Sequence, residues 1–236
     1  LPLTKNLYVK SNYIKTIKKR IQKTKLAEAG NYNYSGLFFC LIPEIVENIS
    51  ESNFERFLDE NFYSHFNNSI TFNPLRKNEL NNIVPTEFDL TFRGELVHGT
   101  VHDETAALMG GVSANAGLFA SAKDLAKLLN IISKKNSPLI NDDIFQLFTE
   151  NQIKNDTINN RGLGFDKVRY VSNGSEIYPH PKLSKKSFGH TGFTGTMYWA
   201  DKQNDLIFVF LTNSVYPNRD KNTLSELEVR RKLLDL

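Results

Sequence analysis

The chain has 236 residues, of which 40% are hydrophobic and 23% charged, enough for one sizeable core in a single domain or a domain carrying an inserted lobe. Its formal net charge of +3 is far from the concentrated basic patch of a nucleic-acid-binding protein, and no run approaches the roughly 18 consecutive apolar residues needed to span a bilayer. The single cysteine, Cys40, lies in the apolar run 37–42, which excludes an internal disulfide and predicts a buried, inert thiol.

From Lys5 to Lys25 the chain is basic, with no acidic residue before Glu28. Ile14, Ile17 and Ile21 fall on one face of a helix, so the pattern predicts an amphipathic helix with a solvated basic side; a membrane-surface or nucleic-acid role is the minority reading. The chain opens at Leu1 without an initiator Met or the apolar core of a signal peptide, and is expected to be a piece of a longer product. A polar approach ends at Gly30. The polar and aromatic turn Asn31-Tyr32-Asn33-Tyr34-Ser35-Gly36 then leads into apolar positions 37, 38, 41, 42, 45, 46 and 49, which have helical spacing, with Pro43 interrupting the helix or marking a late start.

Ser52 to Glu55 fits a capping box ahead of a helix with Phe54, Phe57, Leu58 and Phe62 on its buried stripe. Residues 64–100 are broken by Asn67-Asn68, Asn73-Pro74 and Val84-Pro85 and predict no long element. Ser121 with Asp124 makes a further capping box, opening a helix with Leu125, Leu128, Leu129 and Ile132 inward, and Asn141-Asp142-Asp143 opens another. Arg161 to Phe165 reads as a short strand, followed by a polar hairpin or loop through Asn173-Gly174 and Pro179-His180-Pro181, in which His180 is expected to be solvated, as is His65.

The densest signal follows. Gly189, Gly192 and Gly195 punctuate the stretch from Ser187 to Thr196, which reads as a strand whose backbone something approaches closely, running on into Met197-Tyr198-Trp199-Ala200. Leu206 to Leu211 is a second, buried strand, and polar residues 201–205 between the runs predict an antiparallel hairpin. The run from Leu224 to Leu236 predicts a closing helix.

His190-Thr191-Gly192 resembles the Lys-Thr-Gly element of penicillin-recognising serine hydrolases, in the His-Thr-Gly form of the β-lactamase-related esterases and peptidases. Tyr34-Ser35-Gly36 ahead of an apolar helix stands where this family has its Tyr-x-Asn or Tyr-Ser-Asp element. Val101-His102-Asp103, Gly110-Gly111-Val112, Ala116-Gly117-Leu118-Phe119, Arg161-Gly162-Leu163-Gly164-Phe165 and Leu211-Thr212-Asn213 continue the likeness over nearly the whole chain. The chain is most similar to the β-lactamase-like domain found C-terminal to family 3 glycosidases in bacterial envelope proteins.

The resemblance implies an α/β fold of mixed, α+β character, of β-lactamase/transpeptidase type. It would be a single incomplete domain over 1–236, with a mostly helical lobe over about 30–150 and an antiparallel sheet with the C-terminal helix over about 160–236. It implies acyl-enzyme chemistry in which a Ser, activated by a Lys three residues on, attacks an amide or ester carbonyl. Tyr34 would relay protons, His190 would stand in place of the usual Lys, the Phe193 N–H would give half of an oxyanion hole, and Ser35, Thr191 and Gly192 would line the substrate. Neither a metal nor another cofactor is implied; the substrate would be a small molecule or a peptide or muropeptide, the partner an upstream glycosidase domain, and the location the bacterial periplasm or cell envelope.

Two departures open an alternative. No Ser in the chain has Lys at i+3, so the nucleophile is expected upstream of Leu1, and Gly36 stands where Asn or Asp would help hold the Lys and the substrate. A non-catalytic module of the same fold, binding cell-wall fragments or a partner domain, is the alternative. His98 and His102, four apart with Asp103 adjacent, are weighed as zinc ligands, but Gly99 and the lack of His-Glu-x-x-His favour structural roles, with Asp103 capping the next turn.

Overall fold

A computed structural model describes residues 1–26, 28, 32–66, 68–153, 160–170, 177–220 and 223–236; the expected turn at Asn173-Gly174 and the polar approach at Gly30 lie outside these. The described residues form two compact units, Leu1–Ala120 with Tyr216–Arg219, and Ser121–Val215 with Asp220–Leu236. All strand pairings are antiparallel among the described residues.

In the first unit, helix α1 (Tyr13–Gln22) half-buries Ile14, Ile17 and Ile21 and leaves Lys15 and Lys19 exposed, while the half-buried Lys18 pairs with Glu44 at 2.8 Å. The apolar run that follows is a 3₁₀ turn, Phe38–Leu41, and then α2 (Ile42–Ser50), with Pro43 in the first turn, where a missing N–H costs nothing. For α3 (Phe54–Leu58) the cap is Asn53, whose side chain accepts from the Glu55 and Arg56 amides, rather than Ser52. Asn places its acceptor one atom further out than Ser and serves the same two donors.

Two short ladders follow: β1 (Thr71–Phe72) pairs with β4 (Leu118–Phe119), and β2 (Glu87–Asp89) with β3 (Glu95–Val97). Between β3 and β4 lies α4 (Glu104–Leu108), capped by Asp103 as expected, its carboxylate accepting from the Ala106 amide at 2.7 Å. Leu3, Val101, Ala106 and Ala107 make the core here. A buried ion pair, Arg93 to Asp89 at 3.0 Å, sits within the 89–94 turn, and Arg93 also donates to the Val101 carbonyl at 2.9 Å. Each charged group is thus both paired and hydrogen-bonded, the condition for keeping it buried.

Helices α5 (Ala122–Ser133) and α6 (Asp142–Thr149) belong to the second unit. Both caps are as read from the sequence: Ser121 accepts from the Asp124 amide and Asn141 from that of Asp143. The 161–165 segment is a turn rather than a strand, closed by a bridge from Arg161 to Asp166 with Gly164 at φ 81°; strand β5 (Asp166–Lys167) begins only after it. After β5 come β6 (Arg169–Tyr170) and β7 (Ile177–Tyr178), paired with each other.

The main sheet is completed by β8 (Phe188–Thr191), β9 (Met197–Asp201) and β10 (Leu206–Phe210), in the order β10-β9-β8-β5. The Ser187–Thr196 stretch is therefore not one strand: it is a strand, a turn at 192–196, and the return into β9. Strand alternation sorts the core into two faces. Phe188, Ala200, Ile207 and Val209 pack with Leu129 of α5 and Phe145 of α6, while Met197, Trp199 and Phe208 pack on the other face with Leu183 and Leu234. Leu234 belongs to α8 (Val229–Asp235); the expected single C-terminal helix is broken into α7 (Thr223–Glu226) and α8 by Glu228 in the left-handed region at φ 53°.

Candidate active site

The six residues singled out from the sequence divide between the units. Tyr34 and Ser35 lie in the first, His190, Thr191, Gly192 and Phe193 in the second. The second group lies at the end of strand β8 and in the turn that follows it.

In the first unit, Tyr34 is 63% exposed and Ser35 is also exposed. Ser35 Oγ accepts from the Leu37 amide at 3.2 Å, so its hydroxyl shapes the entry to the 38–41 turn. Gly36 has no strained backbone, and a Cβ there would make ordinary contact with Asn115 at 3.5 Å. Beneath this turn lies a polar cluster. Asn115 Nδ2 donates to Asp103 at 3.0 Å, its Oδ1 accepts from Ser113 Oγ at 2.6 Å, and Cys40 Sγ lies 3.5 Å from the same oxygen. Cys40 is 1% exposed and burial pushes its thiol up, as expected of an inert cysteine.

In the second unit, β8 ends in the turn that carries the remaining residues. His190 Nδ1 lies 2.7 Å from the Thr191 carbonyl. The Gly192 amide donates to the Thr196 carbonyl at 2.8 Å and the Gly195 amide to the Gly192 carbonyl at 3.1 Å, closing a tight loop with Phe193 at its tip, 64% exposed. Gly195 is required on two counts: its φ is 103°, and a Cβ would lie 2.4 Å from Ser214 Oγ. Ser214, in the segment after β10, donates through its amide at 2.8 Å and its hydroxyl at 3.2 Å to the Thr194 carbonyl.

Behind the turn stands Arg230 of α8, with Nε 3.0 Å from the Gly195 carbonyl and Nη2 3.4 Å from those of Gly192 and Thr196. Tyr178 of β7 lies edge-on to Trp199; burial pushes its phenol up, Asp166 adds to this, and a hydrogen bond with Thr191 works the other way. Sequence reasoning missed Arg230. Its one signal was position: it precedes Leu234 by four residues, placing a cation on the stripe of α8 that packs against the sheet.

The histidines weighed as zinc ligands are engaged otherwise. His98 Nε2 lies 2.6 Å from the Ile83 carbonyl; His102 Nδ1 lies 2.9 Å from Thr86 Oγ1 and its Nε2 3.4 Å from Glu87. Among the described residues no group of three or more His, Cys, Asp or Glu side chains gathers as a metal site. His180 is 2% exposed rather than solvated: it accepts the Lys182 amide at Nδ1 and meets Asp235 at 3.0 Å through Nε2, tying the Pro179–Pro181 loop to the end of α8. His65 is exposed. No helix among the described residues is long and apolar enough to cross a membrane.

A family model described as Beta-lactamase matches residues 4–230. A putative D-alanyl-D-alanine carboxypeptidase of Escherichia coli K12 is 31% identical over 198 residues, covering 76% of this chain and 44% of its own length. One from Salmonella schwarzengrund is 32% identical over 213 residues, covering 82% and 48%. The chain thus spans just under half the length of these relatives. Among solved structures, a β-lactamase from Mycobacterium bovis matches with a TM-score of 0.46 and 20% identity, covering 82% of this chain and 63% of that one.

Proposed function

Since the chain belongs to the β-lactamase family, we propose that it forms the larger part of a serine-hydrolase site whose nucleophile and general base lie in sequence upstream of Leu1. The observation that carries this reading is the end of β8 and its turn: His190 and Thr191 on the strand, then Gly192 and an exposed Phe193 in a turn closed by its own backbone bonds. In the proposed reaction a Ser oxygen bonds to an amide or ester carbonyl carbon, the carbonyl oxygen takes up negative charge beside the Phe193 N–H, and the amine or alcohol departs with a proton relayed through Tyr34. Water then cleaves the acyl-enzyme by the reverse sequence. His190 stands where the family has its Lys, with Thr191 and Gly192 beside it at the substrate edge. The name carried by the relatives supports a peptidoglycan-derived peptide as the substrate and the bacterial envelope as the place of action.

A second reading is favoured by two sequence observations: no Ser in these residues has Lys at i+3, and residue 36 is Gly. On that reading the same turn holds cell-wall fragments without turning them over. Intact mass of the 236-residue chain and of a version extended upstream, each treated with a fluorophosphonate and with a penicillin, separates the two. An adduct on the longer chain alone is expected; no adduct on either moves the conclusion to the binding module.

A further inference from the structure

We infer that Arg230 is a positioning residue for the 192–196 turn, aiming the Phe193 N–H away from α8; its use in catalysis rests on the hydrolase reading above. Three carbonyls converge on this one guanidinium: that of Gly195 at 3.0 Å, and those of Gly192 and Thr196 at 3.4 Å. The Gly192–Phe193 bond is trans, and in a trans peptide the C=O and the following N–H point in opposite directions. With the Gly192 oxygen drawn toward Arg230, the Phe193 N–H is directed to the opposite side of the turn.

Two further effects follow from the same contact. The Gly192 oxygen also accepts from the Gly195 amide at 3.1 Å, so Arg230 adds a charged donor to a bond the turn already makes and resists a flip of that peptide. A cation on the carbonyl end also draws electron density along the peptide, which makes the opposite N–H a stronger donor. The turn is thereby held from two sides, by Arg230 on three carbonyls and by Ser214 on that of Thr194. Arg230 itself is held by its place on α8, one turn before Leu234, which is packed against the cluster of Leu183, Met197 and Trp199.

The test has two arms. In the 236-residue chain, amide NMR and hydrogen exchange are recorded for wild type, Arg230→Met and Arg230→Lys. The expected result is on the order of tenfold faster exchange and a shifted resonance at Phe193 in R230M, with the Trp199 and Phe208 amides unchanged and partial return in R230K. An unchanged Phe193 amide in folded R230M overturns the inference, as do equal changes at Trp199; if R230M does not fold, R230K against wild type decides by the same criterion. In the upstream-extended protein, R230M is expected to lower kcat on an ester or D-alanyl-D-alanine peptide about tenfold at nearly constant KM, a fraction of the roughly 10²–10³-fold lost with a whole oxyanion donor. A loss carried by KM alone overturns the catalytic use. Wild type that takes no acyl group refutes the hydrolase reading, while the NMR arm still judges Arg230.

Discussion

Gly189 offers the sharpest test of how the site is held in place. It faces Trp199 across the β8–β9 ladder, on the sheet face that α8 covers. A Cβ at this position would sit 2.2 Å from the Tyr198 carbonyl oxygen and 2.6–2.7 Å from two carbons of the Trp199 ring, both fully surrounded. Ordinary contacts need about 3.5–4.0 Å between carbons, so β8 must move by about 1 Å or the indole must leave its packed rotamer. Overpacking of this kind costs roughly 1–3 kcal/mol, and a backbone carbonyl and a buried indole, neither free to yield, put Gly189→Ala at about 3 kcal/mol. At roughly 2–4 °C per kcal/mol for a chain of this size, the melting temperature should fall by about 6–12 °C in calorimetry. Gly94→Ala is the control: at φ 71° with nothing within 4 Å, it carries only the left-handed backbone penalty of about 1–2 kcal/mol. If G189A melts within 2 °C of wild type, or no lower than G94A, the steric reasoning fails.

Other expectations follow from buried charge. Lys167 is 3% exposed, donating to the Ser187 and Lys186 carbonyls at 2.6 and 3.2 Å, and burial lowers its ammonium to about 8, with Asp201 opposing. Because the unfolded chain holds this proton up to about 10.4, stability should rise by about 1–3 kcal/mol from pH 8 toward 10. Burial raises Tyr63, Tyr178 and Tyr198, which reverse the trend above pH 10. Urea titrations of Lys167→Met should lose that rise, and an unchanged slope would refute the assignment. Arg219→Ala strips Glu87, 3% exposed, of its bidentate partner at 2.7–3.0 Å, whose hydrogen bonds outweigh burial in keeping that carboxyl low. The loss should be about 2–4 kcal/mol at pH 7 and shrink as acid protonates Glu87; equal losses at pH 7 and pH 4 would contradict this. In the upstream-extended protein, Tyr34→Phe should slow acylation by about 10²-fold in stopped-flow, and a change under threefold would remove Tyr34 from proton transfer.

What could be read ahead of the structure were features whose cause is local. Ser121 and Asn141 cap their helices because the acceptor and the amides it serves are two or three residues apart, and the β9–β10 hairpin is written in two apolar runs around a polar turn. Glycine spacing, by contrast, does not distinguish a strand from a strand and its turn, so the 192–196 reversal was hidden inside what looked like one element. Glu228 in the left-handed region breaks the C-terminal helix without any Gly or Pro to announce it. His180 looked solvated between two prolines, and only the fold brings Asp235, 55 residues away, against its ring. The candidate residues at 190–193 were legible as a motif, whereas Arg230, Ser214 and the Asn115–Asp103 cluster act through contacts that no periodicity encodes.

The segment Tyr216–Arg219 leaves the second unit, contributes its Pro217 carbonyl to the Phe88 amide and its Arg219 to Glu87 in the first, and then goes back. The first unit is thus discontinuous in sequence. During synthesis, residues 1–120 emerge long before the cation that neutralises Glu87, so the first unit waits for nearly the whole chain before its last ion pair can close. Cutting the gene at Ala120 would leave one half with a buried carboxylate unmet and the other with an unemployed arginine.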